Sequence, residues 1–207
     1  MHSPSHPDAN EAHYGTVSVF DLTHAPEPPV LDGARFEALS PSDGPALEEA
    51  MQASGDYPAG VAPGRFSPER HAYGIWADEK IVTYGWAAYS PEPLGNSGIS
   101  FRLEPGDVYI YDCATRPDYQ GRGYYKALLR GMAADLAQRG CRRAWIATEA
   151  GNIASERGIS GAGFTKIGHV NLTNRVAGRP KPEVYGVPGV PEDLVAQAAW
   201  SFVPNRL

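Results

Sequence analysis

Cysteine is nearly absent: the chain carries two, Cys113 and Cys141. Two thiols are too few for a disulfide framework or a four-ligand structural zinc site, so they read as reduced side chains of a cytoplasmic protein. Long apolar runs are missing too. None approaches the roughly 18–20 residues that span a bilayer, so no membrane partner is expected. The polar, proline-bearing first ten residues lack the basic flank and apolar stretch of a secretory signal. Positive charge is in short supply, with 18 Lys and Arg against 24 Asp and Glu and a net charge of −6. That balance argues against a nucleic-acid partner. No internal repeat is visible.

What is present is a chain of 207 residues, 42% hydrophobic and 20% charged, a globular composition long enough for a core of its own. The 23 glycines and 19 prolines imply generous loops. Charge is unevenly placed. Residues 1–60 hold ten acids and one base, Arg35, whereas residues 115–145 hold seven bases and two acids. A basic segment inside an acidic protein is a candidate anion site. Residues 1–30 carry five prolines and the histidines His2, His6, His13 and His24 without apolar periodicity or ligand spacing. They read as a mobile extension with no metal, ahead of one domain over 31–207.

Within that domain the patterning predicts a strand at 34–39, a helix at 45–53, a loop at 55–66, a hairpin of strands 71–77 and 81–89, and a loop at 91–98. A strand comes next at 108–115, rich in β-branched and aromatic residues. The strongest helix runs over 124–139, with Leu128, Leu129, Met132 and Leu136 on one face and Gly140 ending it. Strand 143–148, helix 152–162, strand 164–173, a loop at 174–181 and a last helix at 191–200 complete the chain. The order implies an α/β (α+β) fold, a mixed sheet with helices on its faces. Strands 108–115 and 143–148 lie parallel across helix 124–139.

The turn entering that helix reads Asp118-Tyr119-Gln120-Gly121-Arg122-Gly123-Tyr124-Tyr125. Glycines let the backbone turn tightly, and the first helical turn presents free N–H groups at the positive end of the helix dipole. Together they suit a phosphate, with Arg122 and Lys126 adding charge. A dinucleotide fingerprint would need a third glycine where Lys126 stands, and a P-loop motif is absent. Gln120-Gly121-Arg122-Gly123 resembles the Q/R-x-x-G-x-G/A signature of the GNAT superfamily of acyl-CoA-dependent N-acetyltransferases. Asn152-Ile153-Ala154-Ser155 followed by Gly163-Phe164 resembles that family's N-x-x-[AS]…G-F segment. The resemblance covers about residues 34–175.

It implies a mostly antiparallel twisted sheet flanked by helices, with a splayed parallel strand pair where the pantetheine arm of acetyl-CoA enters. It implies that backbone groups of Cys113, Ala114 and Thr115 pair with that arm, and that the Cys113 amide faces the thioester carbonyl. It further implies that Gln120, Gly121, Arg122, Gly123, Tyr124, Tyr125 and Lys126 surround the pyrophosphate, and that Asn152 and Ser155 lie along the pantetheine. Two positions depart from the pattern. Tyr125 replaces the signature's last Gly/Ala. The family's usual acid and base positions are occupied by Ile159 and Ala147.

Substitutes are therefore sought in this chain. Strand alternation puts Tyr109, Tyr111 and Cys113 on one face and Ile110 and Asp112 on the other. Tyr111 is the first candidate for proton transfer, and Glu149, at the end of the next strand, the candidate base through water. Cys113 enters through its amide, since no neighbouring histidine motif supports a thiolate nucleophile. The expected function is transfer of acetyl from acetyl-CoA to the primary amine of a small molecule, with the loops 55–66 and 91–104 walling the acceptor. A protein or peptide acceptor, and a catalytically degenerate acyl-CoA sensor, are the alternatives. Relatives are often homodimers, and the residues after 185 could pack on their own domain or on a partner.

Overall fold

The computed structural model describes residues 15–205 apart from 25, 56, 96, 173 and 177. In chain order the elements are β1 (Gly15–Asp21), β2 (Ala34–Leu39), α1 (Gly44–Ser54), α2 (Val61–Arg65), β3 (Arg70–Ala77), β4 (Lys80–Ala88), β5 (Glu92–Pro93), β6 (Ile99–Phe101) and β7 (Asp107–Thr115). Then come α3 (Tyr124–Gln138), β8 (Arg143–Glu149), α4 (Ile153–Ala162), β9 (Thr165–Asn171), β10 (Arg175–Val176), β11 (Arg179–Pro180), β12 (Glu183–Gly186), α5 (Glu192–Ser201) and β13 (Phe202–Pro204).

Eight strands form one sheet in the order β12-β9-β1-β8-β7-β4-β3-β2. Every neighbouring pair is antiparallel except β7 and β8, which the α3 crossover makes parallel. The apolar stripe of α3 explains its place. Leu128, Leu129, Met132 and Leu136 are fully buried against Ile110 and Ile146 of the two parallel strands. Each such leucine contributes on the order of 2 kcal/mol. On the opposite face Tyr109, Trp145, Phe101 and Phe202 form a second core under α5 and a small sheet, β13-β6-β5. A third core sits beneath α1 and α2.

One expectation fails at the start of the chain. Residues 15–24 are not part of an extension: β1 lies inside the sheet, pairing with β8 on one side and β9 on the other. Gly15 through Val19 are buried. The short alternation Thr16-Val17-Ser18-Val19 supplies small, β-prone side chains that fit a strand covered on both faces, where no long apolar run is needed. His2, His6 and His13 lie outside the described residues. The loop at 91–98 contains β5, and the C-terminal segment packs on its own chain, β13 pairing with β6. Among the described residues no helix is long and apolar enough to cross a membrane.

Candidate active site

Strands β7 and β8 part company halfway along. Their pairing covers Asp107–Ile110 against Arg143–Ile146 and then stops. Beyond that point β7 continues with β4 as far as Thr115 opposite Thr83, while β8 continues with β1 as far as Glu149 opposite Gly15. A gap opens between residues 111–115 and 147–149. Past their last pair, the facing strand edges carry main-chain groups that an extended ligand can pair with.

On β7 the alternation breaks at the same place. Tyr111 pairs with Trp86 and Ala114 with Tyr84, so Asp112 and Cys113 together oppose the single residue Gly85. Asp112 takes the left-handed conformation, φ 48°, which non-glycine residues seldom adopt. This β-bulge adds one residue and reverses the facing of the strand beyond it. Gly85 permits it: a Cβ there would stand 2.6 Å from Cys113 Sγ. Cys113 therefore shares the α3 side with Ile110, and Asp112 joins Tyr109 and Tyr111 on the other face. The alternation expected from the sequence is corrected at these two residues.

The face bearing Tyr109, Tyr111 and Asp112 lines a cavity of about 890 Å³. Its wall includes Tyr57 and Arg65, Glu92 and Leu94, and Phe202 from β13. Asp112 accepts hydrogen bonds from the Tyr57 hydroxyl and the Arg65 guanidinium, tying the 55–66 segment to β7. Arg65 also lies over the rings of Tyr57 and Trp86, at 5.9 and 5.8 Å. Arg70 Nε donates to Glu92 Oε2 at 2.8 Å, and Glu92 is buried. The Tyr111 hydroxyl is buried with no hydrogen-bond partner among the described residues. Burial first, then the neighbouring Glu92 carboxylate, pushes its phenol well above the ordinary value. Tyr111 thus stays protonated at neutral pH. Glu149 lies exposed at the cavity edge.

On the helix side the turn 120–123 behaves as its glycines suggest. Gly121 and Gly123 have φ of 74° and 81°, and a Cβ at either would meet nothing within 4 Å. Open space there, with α3 starting at Tyr124, forms a cradle of first-turn amides. Gln120 Nε2 donates to Thr115 O at 3.3 Å and fixes the turn to the end of β7. Arg122 Nη2 donates to Asp118 O at 2.9 Å and its guanidinium lies 4.8 Å from the Tyr119 ring. The ring of Tyr124 is 6.3 Å from that of Tyr119. Arg122 and Lys126 are exposed at the turn. Thr115 Oγ1 is 3.1 Å from Thr83 Oγ1, and Ala114 packs toward the third core. Asn152 caps α4, its Oδ1 accepting from Ser155 N at 3.1 Å. Ser155 Oγ and the Tyr125 hydroxyl are 2.9 Å apart. The Cys113 thiol is pushed far up by burial, so it is no thiolate. Ile159 is buried in the first core, and Ala147 lines the cavity.

Sequence reasoning did not single out Tyr57, Arg65, Arg70, Glu92 or Phe202. They sit far apart in the chain, and only the topology gathers them. The signal that could have found Arg70 and Glu92 is their place at the end of one predicted strand and the loop beyond its hairpin partner. Among the described residues no cluster of His, Cys, Asp and Glu has the makings of a metal site.

Comparison with known proteins agrees with this geometry. The model of the acetyltransferase (GNAT) family matches residues 36–164. None of the curated proteins matches the chain by sequence. Among solved structures, the ribosomal-protein-S18-alanine N-acetyltransferase of Escherichia coli is similar with a TM-score of 0.52 at 17% identity, over 73% of this chain and 90% of that one. A GCN5-related N-acetyltransferase from Sphaerobacter thermophilus is similar with a TM-score of 0.56 at 18% identity, over 76% of this chain and 49% of that one. An aminoglycoside acetyltransferase from an uncultured soil metagenomic sample gives 0.50 at 13% identity, over 63% of this chain and 88% of that one. At these identities the likeness is one of fold.

Proposed function

The chain belongs to the acetyltransferase (GNAT) family and is an acyltransferase, and from that premise we propose that it transfers the acetyl group of acetyl-CoA to the primary amine of a small molecule by direct attack in a ternary complex. The observation that carries the acceptor class is the cavity of about 890 Å³ on the Tyr111 face of β7, which reaches the splay at Ala147–Glu149. Side chains from α2, β5 and β13 stand around it. Three carboxylates, Glu92, Asp112 and Glu149, face it against two guanidiniums, Arg65 and Arg70. That excess favours a cationic amine.

Each group has its own part in the transfer. Main-chain groups of Cys113, Ala114 and Thr115 pair with the pantetheine arm in the splay, beside Asn152. The amides from Gly121 to Lys126 hold the pyrophosphate, with Arg122 and Lys126 adding charge. Acetyl-CoA supplies an activated thioester; the chain supplies proximity and a donor to the carbonyl oxygen from the Cys113 amide. An amine attacks only when neutral, so its proton must leave. Glu149 takes it through water at the cavity edge. Tyr111, held protonated by burial, orients the acceptor. Asp112 holds the 55–66 wall through Arg65 and Tyr57.

The test is release of free thiol from acetyl-CoA against matched panels of small amines and short peptides. Turnover is expected with a class of small cationic amines and not with peptides. Turnover confined to peptides would overturn the acceptor assignment.

A further inference from the structure

Tyr125 leaves the first turn of α3 and crosses to α4. Its ring lies on Gly158, where a Cβ would stand 2.3 Å from Tyr125 Cδ1 and 2.7 Å from Cε1. Any side chain at 158 would displace the ring, so α4 is shaped to receive it. The hydroxyl ends 2.9 Å from Ser155 Oγ, and Ser155 is itself held in the first turn of α4 by the Asn152 cap. Tyr125 and Cys113 both pack against the first core, and burial first, then the Cys113 thiol, raises the phenol. Cys113 stands three residues beyond Ile110, the last β7 residue paired with β8. The Tyr125 hydroxyl is therefore delivered to the splay from the helix side, opposite the cavity that holds Tyr111.

The other groups there cannot donate a proton as well. Ile159, one residue beyond Gly158, is apolar and buried in the first core. The Cys113 thiol is turned back onto its own strand, 3.5 Å from Tyr111 O, and the Ser155 hydroxyl is a weak acid that already contacts Tyr125. A thiol with an ordinary pKa of about 8.5 leaves a thioester as a thiolate, and a charge formed in a buried gap needs a donor. We propose that the Tyr125 hydroxyl, positioned by Ser155, is the catalytic donor that stabilises and protonates the leaving thiolate. This rests on the acyl-CoA reading above. As the acceptor nitrogen bonds to the acyl carbon, the C–S bond breaks and sulfur keeps the electron pair. Sulfur takes the Tyr125 proton, and the nitrogen sheds one proton on the cavity side. The Tyr125 oxygen is reprotonated from solvent through Ser155. The sum is an amide and a free thiol.

Tyr125→Phe keeps the ring on Gly158 and removes only the hydroxyl. The experiment reads the pKa of the bound CoA thiol from thiolate ultraviolet absorbance, calorimetric affinities for CoA and for desulfo-CoA, and turnover. The expected result is a raised thiol pKa in the variant with desulfo-CoA affinity unchanged. In turnover kcat falls about 10²-fold while KM for acetyl-CoA stays within about twofold. Ser155→Ala shifts the same readouts in the same direction by less. A bound-thiol pKa that Tyr125→Phe does not move overturns the proposal, as does an equal loss of CoA and desulfo-CoA affinity, which would make Tyr125 a wall of the channel only. A wild-type chain that binds no CoA overturns the acyl-CoA reading itself and this proposal with it, a result distinct from either of those.

Discussion

On the helix side of β7 the groups proposed to hold acetyl-CoA belong to one stretch, residues 113–126, closed by the first turn of α4. On the opposite face, Arg65, Arg70, Glu92, Tyr111, Glu149 and Phe202 reach the cavity from six separate elements. The first site is made largely of main chain and a glycine turn, so it depends on backbone geometry more than on side-chain identity. The second is made of side chains whose positions depend on long-range packing and on ion pairs. A fold built this way can keep its donor site and change its acceptor by changing loops. The two sides should therefore be separable by substitution.

The largest expected effect falls on the acceptor side. Asp112→Asn suits the left-handed backbone, which Asn tolerates, but removes the charge facing Arg65. Steady-state kinetics should show acceptor kcat/KM reduced about 10²-fold, with acetyl-CoA affinity by calorimetry unmoved. A matching loss of acetyl-CoA affinity would break the separation. Gly123→Ala tests the other side. Its φ of 81° disfavours any Cβ, and the strain of about 1–2 kcal/mol should weaken acetyl-CoA binding about tenfold while the order of preferred acceptors stays the same.

A smaller effect concerns Asp107, buried at the start of β7, which accepts from Trp145 Nε1 at 2.8 Å and Gln197 Nε2 at 2.9 Å. Burial raises its pKa above the ordinary 3.8. The folded state then binds more protons than the unfolded one between those two values, so stability falls as pH rises through that window. Denaturant unfolding across acid pH should show this slope in the wild type and lose it in Asp107→Asn. The smallest effect is expected for Cys113→Ala, which keeps the amide and removes a thiol that burial leaves protonated. Activity should change by no more than about twofold, and a collapse of turnover would mean that the thiol itself reacts.

The same contrast explains what could be read from the sequence. The β7–turn–α3–β8 unit is local, and its signals are local too: a β-branched run, a glycine turn, a 3.6-residue stripe and a terminal glycine. Asn152 and Ser155 likewise fall where the N-x-x-S spacing puts them, at the start of α4. The reversal at Asp112 was hidden because a bulge adds one residue without marking the apolar pattern, and Gly85 reveals it only when paired opposite. β1 escaped notice because Thr16 and Ser18, small and polar, occupy a strand buried on both faces. Arg65, Arg70 and Glu92 carry no mutual spacing in the chain, and Phe202 reaches the cavity only because β13 pairs with β6.

Direct acyl transfer requires that the two separate sites meet at one splay. Initial rates with acetyl-CoA and the acceptor varied together test that most directly. Intersecting double-reciprocal lines, the sign of a ternary complex, are the predicted result. Parallel lines, the mark of a covalent acyl-enzyme, would contradict it.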